Sequence, residues 1–175
     1  YVQQTVLDGN NTDTVILIGE TQPDTCLVVG LVITGGLVEF ENYDNHAGGV
    51  EVRASNVLID HCVIEKNESR LVGGIISLWG SEAKLSSTTI RYNHGKIGGV
   101  FVDTGSVFFN PTQLCNIYLN YGLTCDIRKI YESPQSPLEV YADTISVLNH
   151  ESYDGYLYNS TDMYNTPQDD IIVYA

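Results

Sequence analysis

Short stretches in which apolar and polar residues alternate recur along this chain. They include apolar pairs two positions apart: Val50 and Val52, Val57 and Ile59, Ala83 and Leu85, and Val100 and Val102. Alternation with a period of two and many β-branched residues are typical of short β-strands with one buried face. No stretch has the spacing of apolar residues that a long amphipathic helix requires. We therefore expect an all-β protein.

These predicted strands belong to a sequence repeat. A glycine pair flanked by apolar residues returns every 25 residues, at 48–49, 73–74 and 98–99. A second landmark, an isoleucine followed three positions later by an asparagine, occurs at 64–67, 90–93 and 117–120. An earlier, degenerate copy of the glycine landmark spans 30–36. Self-similarity at a fixed period is typical of repeat proteins, in which each unit packs on the next.

The length of the repeat favours a right-handed parallel β-helix. Helical solenoids need roughly 33 to 47 residues per repeat, and the leucine-rich repeat needs its own Leu and Asn pattern. In a β-helix, successive coils stack about 4.8 Å apart. We then expect Ile59 beside Leu85, and the three landmark isoleucines in one inward ladder. The landmark asparagines would lie at one corner, and the glycine pairs at the next corner, where they would supply positive φ.

The chain divides into residues 1–131, predicted to form about five coils, and an irregular, Tyr-rich extension over residues 132–175. Residues 37–46 are expected to leave the repeat as an acidic loop. The extension ends in four residues that favour a strand: Ile171, Ile172, Val173 and Tyr174. This segment either caps its own stack or adds to the open end of a neighbouring subunit. Head-to-tail pairing of such ends would build filaments.

The glycine pair combined with the Ile-to-Asn landmark resembles the repeats of polymorphic outer membrane proteins and related pectate-lyase-like β-helix surface proteins. Residues 5–12 and 30–36 look like the entry coils of that group, and residues 120–127 look like its closing coil. The resemblance covers residues 5–131 and implies a β-helix with a surface or adhesive role. Two departures are an isoleucine where the family usually has phenylalanine and a length far below that of a typical passenger domain.

The net charge of the chain indicates which classes of partner are disfavoured. The net charge is −14, from 22 acidic and 8 basic residues. Nucleic acid and anionic membrane surfaces are disfavoured, because phosphate contacts need clustered Lys and Arg. Self-association, other surface proteins, neutral glycans and divalent cations remain open, and Ca²⁺ is possible although no cofactor is expected. The alternative is that the negative charge keeps the protein soluble and has no connection with a partner. No run of 18 apolar residues occurs, so we expect no membrane insertion.

Three Asn-x-Ser/Thr sequons, at Asn10, Asn67 and Asn159, fall in predicted turns or loops. Together with a start that has no initiator Met, they favour a processed or excised protein located outside the cell or on its surface. Asn67 also has the corner role described above. Glycosylation at these positions is therefore one of two interpretations for Asn67 and the principal one for the other two.

The four cysteines do not have the spacing of a zinc site. Cys62 and Cys115 are expected two coils apart, about 9.6 Å, which is too far for a disulfide. Cys115 and Cys125 can meet within a coil. The alternative is that the cysteines are small apolar members of the inward ladders.

Candidate chemistry is sparse, so we expect a protein that is not an enzyme. The resemblance implies a polysaccharide lyase or hydrolase as the alternative, but fragments of such sites occur here in the wrong order and spacing. The best local acid–base pair is Asp60 with His61, which is equally explained as a solvated turn. Trp79 and Tyr92 are candidates for stacking on a sugar ring, or for an exposed rim over a corner. A glycan-binding module is therefore a further alternative function. The leading function is a structural or adhesive surface protein that assembles end to end.

Overall fold

The computed structural model describes residues 5–39, 46–130, 138–145 and 171–174. Throughout these ranges the protein is all-β, and every strand pairing is parallel. The expectation of an all-β chain is therefore confirmed. The strands form three sheets.

Sheet 1 contains, in spatial order, β1 (Thr5–Asp8), β4 (Leu31–Thr34), β8 (Val63–Glu65), β12 (Thr89–Arg91), β15 (Cys115–Tyr118), β17 (Leu138–Ile145) and β18 (Ile171–Tyr174). Sheet 2 contains β2 (Ile16–Gly19), β6 (Val50–Arg53), β10 (Ile75–Leu78), β13 (His94–Asp103), β9 (Glu68–Ser69) and β5 (Leu37–Val38), with β16 (Tyr121–Ile130) beside β13. Sheet 3 contains β14 (Ser106–Phe109), β11 (Glu82–Ser86), β7 (Asn56–Asp60) and β3 (Thr25–Val29).

From β1 to β16 the chain visits sheets 1, 2 and 3 in turn, and each visit adds a strand beside the one before it. The shift between paired residues of sheet 1 is 26 from Thr5 to Leu31 and 26 from Val63 to Thr89. It is 31 from Val32 to Val63, because additional residues follow β5 in that repeat. The sequence period therefore corresponds to one passage through the three sheets.

The core lies between the sheets and consists of columns of apolar side chains. The predicted ladder of Ile64, Ile90 and Ile117 is confirmed, with pairing in register and exposures of 0%, 0% and 2%. The predicted pair of Ile59 and Leu85 is also confirmed and is fully buried. Burying each such side chain stabilises the fold by about 1.5–3 kcal/mol, which explains why β-branched residues recur at these positions.

The chain turns between sheets at residues with positive φ, which stack in columns. The corner after sheet 2 is formed by Glu20, Ala54, Trp79 and Thr104, with φ from 55° to 58° at three of them and 43° at Ala54. The corner after sheet 1 is formed by Gly35, Lys66, Tyr92 and Leu119. A single left-handed residue redirects the backbone sharply at a tolerable energetic cost, so each corner needs only one.

The landmark asparagines directly follow the corner residues of sheet 1 and form a buried amide ladder. Asn67 Nδ2 donates to Ile33 O and to Asn93 Oδ1, both at 3.0 Å. Asn93 Nδ2 donates to Ile64 O at 2.9 Å and to Asn120 Oδ1 at 3.0 Å. The expectation that these side chains satisfy turn backbone is confirmed, whereas the positive φ belongs to the residue before each of them.

The glycine pairs do not have the role that the sequence suggested. None of the six glycines at 48–49, 73–74 and 98–99 has positive φ. They are required instead by close packing of adjacent repeats. A Cβ on Gly49 would lie 2.6 Å from Gly74 O, and a Cβ on Gly74 would overlap Gly99 O. Nor do the pairs mark a corner, since β13 runs continuously through the third pair.

Two segments expected to leave the repeat contribute strands to it. Leu37 and Val38, expected in a loop, form β5 and pair with β9. Residues 138–145, assigned to the C-terminal extension, form β17 and continue sheet 1 beside β15. Strand β18 (Ile171–Tyr174) pairs in register with the first half of β17. In the single chain, the terminal segment therefore packs on its own sheet, which was the first of the two alternatives.

Candidate functional site

The two candidate sugar-stacking residues lie at different corners, and an arginine packs on each. Trp79 occupies the corner after sheet 2 and is 61% exposed, whereas Tyr92 occupies the corner after sheet 1 and is 44% exposed. The guanidinium carbon of Arg53 lies 4.9 Å from the centre of the Trp79 ring. That of Arg91 lies 5.6 Å from the centre of the Tyr92 ring. These separations are those of cation–π contacts.

Arg53 is positioned by a buried carboxylate, Glu51, which lies two residues earlier on the outward face of β6. The Glu51 side chain is 1% exposed, and its Oε1 contacts Arg53 Nε. Its Oε2 lies 3.0 Å from His46 Nδ1, which is also 3.0 Å from Arg53 Nη2. One ring nitrogen cannot donate to Glu51 and accept from Arg53 at once, so the tautomer of His46 decides which contact is a hydrogen bond.

Hydrogen-bonding groups surround Trp79. Its backbone N–H donates to Thr104 Oγ1 at 2.9 Å. Gln22 Nε2 donates to the carbonyl of Gly80 at 3.2 Å, which brings the first repeat next to the tryptophan. The neighbouring members of the corner column are the small residues Ala54 and Thr104. We call Trp79, Arg53, Glu51, Gln22 and Thr104 the Trp79 cluster.

A second cluster surrounds Tyr92 on the outer face of sheet 1. Glu65, Arg91 and Tyr118 are adjacent in register on β8, β12 and β15. Arg91 Nε lies 2.7 Å from Glu65 Oε2, and Arg91 Nη1 donates to Tyr118 Oη at 2.9 Å. These bonds to Tyr118 and Glu65 raise the pKa of Arg91. The rings of Tyr92 and Tyr118 meet edge to face at 6.4 Å.

The acid–base pair predicted at Asp60 and His61 is formed, with His61 Nδ1 2.9 Å from Asp60 Oδ1. Partial burial would raise the pKa of Asp60, but hydrogen bonds from His61 and Ser86 outweigh it and lower that pKa. The His61 side chain is 61% exposed and its φ is 51°, because it forms the corner after sheet 3. The pair therefore lies on an outer corner.

A groove of about 680 Å³ lies elsewhere, across β5, β9 and the start of β13. Its charged lining consists of Glu39, Glu68, Arg70, His94 and Lys96, and His94 Nδ1 lies 3.2 Å from Glu68 Oε1. Asp60 and His61 are not among the lining residues. The sequence reasoning missed this groove, although charged residues directly after the landmark asparagines were a visible signal.

The sequons have different environments. Asn10 is exposed, with a φ of 52° in the turn after β1. Asn67 is 1% exposed, and both hydrogens of its amide are used in the buried ladder. Its interpretation as a glycan acceptor is therefore corrected, because this fold leaves no space for a glycan on Nδ2. Asn159 lies outside the described residues.

Cys26, Cys62 and Cys115 are free thiols. The possible disulfide between Cys115 and Cys125 is therefore not formed. Burial raises the pKa of Cys115 to about 11 and also raises the pKa of Cys62. Both side chains belong to the core between the sheets, with exposures of 0% and 1%, which agrees with the alternative of apolar ladder residues.

In the ranges that the structure describes, no group of three or more His, Cys, Asp and Glu side chains is arranged to hold a metal ion. In the same ranges, no helix has the length and apolar character needed to cross a membrane.

Comparisons with known proteins give no match. No family model, no curated protein and no solved structure matches this chain.

Proposed function

We propose that this chain is a non-enzymatic structural or adhesive protein, built as a right-handed parallel β-helix and located outside the cell or on its surface. The sequential visits to three parallel sheets, with one sequence period per passage, support the β-helix. The exposed sequon at Asn10 and the resemblance to β-helix surface proteins support the location. The function is proposed to be end-to-end assembly with other copies, and the C-terminal segment contributes to one end.

The observation that carries this proposal is the open edge formed by the first repeat. Among the strands that the structure describes, β1, β2 and β3 are each the terminal strand of their sheet. Apolar side chains on these strands are exposed: Val6 at 56%, Leu17 at 60%, Leu27 at 66% and Val29 at 51%. Unpaired strand edges with apolar side chains are templates for pairing with another chain. Since the two ends of the stack differ, such pairing is heterologous and extends into filaments.

The hydrogen bonds of the first repeat identify which amides face this edge. Gly30 N donates to Asp60 O on β7, and Glu20 N donates to Arg53 O on β6. Because amide directions alternate along a strand, the N–H groups of Leu27 and Leu17 point away from the sheet. A proline at either position would remove a donor from the edge without removing a hydrogen bond within the chain.

The test is light scattering after size-exclusion chromatography, with electron microscopy, on the 175-residue chain and a double variant, Leu17→Pro with Leu27→Pro. We expect ordered oligomers or filaments for the unaltered chain and monomers for the double variant. The matched control replaces both residues with alanine, which keeps both N–H groups, and should still assemble. A monomeric unaltered chain at high concentration, or filaments of the proline variant, would contradict the proposal.

The alternative function, a polysaccharide lyase or hydrolase, has less support. Its best candidates, Asp60 and His61, lie on an outer corner and not in the groove. General acid–base catalysis needs the two groups within reach of a bound substrate. We therefore propose the structural role ahead of catalysis.

A further inference from the structure

Trp79 is an unusual residue for the place that it occupies. A bulky side chain at positive φ is a conformational outlier, and Trp79 has a φ of 55°. Its large apolar ring is 61% exposed, so burial does not compensate. Ala54 forms the same corner one repeat earlier. The turn therefore does not need a tryptophan, and its large exposed ring is available for contact with a ligand.

The packing around Trp79 fixes a hydrogen-bond donor beside its ring. Arg53 lies against the ring at 4.9 Å and is anchored from behind by Glu51, whose side chain is 1% exposed. A buried carboxylate is costly unless it is paired, so Glu51 keeps the guanidinium in one place. Only one face of the indole is needed for this contact. The neighbouring positions of the corner column are occupied by the small residues Ala54 and Thr104, and the Trp79 side chain is 61% exposed.

We infer that the Trp79 cluster binds a neutral oligosaccharide of pyranose sugars. The apolar C–H face of a pyranose ring packs on the indole, which is a large rigid surface with a polar rim. Hydroxyl groups of the sugar bind the remaining N–H groups of Arg53 and the side-chain amide of Gln22 beside the ring. Thr104 holds the Trp79 backbone in place through its hydroxyl group.

The charges within the cluster and on the whole chain favour a neutral sugar as the ligand. The charge of Arg53 is balanced by Glu51 within the cluster. The chain as a whole carries a net charge of −14, which repels polyanions. Uronic-acid polymers and sulfated glycans are therefore excluded as preferred ligands, whereas an uncharged oligosaccharide incurs no such repulsion.

The chain contains one tryptophan, so tryptophan fluorescence reports on this site alone. We would titrate the full chain with cellohexaose and with hexa-N-acetylchitohexaose, using polygalacturonate as the anionic comparison. We expect a saturable change in tryptophan fluorescence with at least one neutral hexasaccharide and a much weaker one with polygalacturonate. Absence of a saturable change with both neutral sugars, or preference for the anionic polymer, would overturn the inference.

Calorimetric titration would then compare variants with the hexasaccharide that binds. Trp79→Ala should abolish binding and should fold, because alanine forms the equivalent corner at Ala54. Arg53→Lys should weaken binding about tenfold, since lysine cannot form the planar fork of donors. The matched control is Phe108→Ala on β14, which removes another exposed aromatic residue outside both clusters and should leave binding unchanged. Equal loss of binding in Phe108→Ala and Trp79→Ala would contradict the assignment.

This site is independent of end-to-end assembly. Leu17 pairs in register with Glu51, so the two sites are separated with Leu27→Pro alone, which should bind the sugar with the affinity of the unaltered chain. Sugar binding by an unaltered chain that stays monomeric would keep the inference and reject the proposed function. Assembly without binding would do the reverse.

Discussion

Asn67, Asn93 and Asn120 form a buried ladder in which the side-chain amides of consecutive repeats bond to each other. Their period identified a corner, and an amide at a corner is expected to satisfy backbone groups. The sequence could not tell that the amides bond to each other, because that depends on the register between repeats. The single side chain of Asn93 forms hydrogen bonds with Asn67, Asn120 and Ile64 O.

Removing one amide from this ladder should be expensive. Asn93→Ala removes the acceptor for the Asn67 backbone N–H and for one hydrogen of Asn67 Nδ2, and it removes the donor to Ile64 O. These groups are buried, and each one left without a partner costs about 1–3 kcal/mol. We expect a loss of at least about 3 kcal/mol in the free energy of unfolding, measured by urea denaturation. The control is Asn110→Ala, whose hydrogen bonds to Thr112 and Gln113 are exposed, and which should lose less than about 1 kcal/mol. Equal losses would contradict a structural role of the ladder.

The cysteines allow a second test at the scale of single residues. The thiolate is the form that reacts with alkylating agents, and burial raises the pKa of Cys115 to about 11 and also that of Cys62. At mildly alkaline pH, both thiols should therefore be labelled slowly, while the half-buried Cys26 reacts first. Peptide mapping by mass spectrometry after timed exposure to N-ethylmaleimide measures the order. Rapid labelling of Cys115 in the folded protein would contradict its place in the core.

At the scale of elements, the repeat period predicted strands but not what separates them. The glycine pairs were expected at a corner because glycine often supplies positive φ. The same periodicity is produced when adjacent backbones approach too closely for a side chain, which is the case here at Gly49 and Gly74. A sequence alone does not distinguish these two requirements. It also could not show that β13 would pass straight through Gly98 and Gly99.

Close approach at the glycine column gives a prediction for the sheet. Gly74→Ala would place a Cβ onto Gly99 O and within 3.2 Å of Ile90 Cγ2, so adjacent repeats must separate. We expect a loss of about 1–3 kcal/mol in thermal or urea unfolding. The matched control is Gly19→Ala at the end of β2, where a Cβ meets nothing within 4 Å and φ is not positive. That variant should be neutral or slightly more stable, and the opposite order would exclude close packing as the reason for the glycines.

At the scale of the whole molecule, the parallel all-β architecture could be predicted from the sequence repeat, whereas the Trp79 cluster could not. Arg53 and Trp79 are 26 positions apart, and they meet because one passage through the three sheets has about that length. In the sequence, Trp79 stood out as the single tryptophan and a candidate for stacking on a sugar. Nothing in the sequence indicated that Glu51 would lie near it. A cluster formed by residues of different repeats can be predicted only when the strand register between those repeats is known. The longer second repeat changes that register, with a shift of 31 residues in place of 26.

The pairing of each repeat with the next has a consequence for how such a chain changes its length. Paired strands of consecutive repeats use equivalent residues, as Val50, Ile75 and Val100 do on sheet 2. A second copy of residues 75–99, inserted in frame, would therefore pair with the repeats on both sides. It would use the same backbone hydrogen bonds, amide ladder and apolar columns as the original copy. The stack would lengthen by about 4.8 Å without a new kind of contact. Genes that encode this architecture can gain or lose whole modules by unequal recombination while keeping both ends intact.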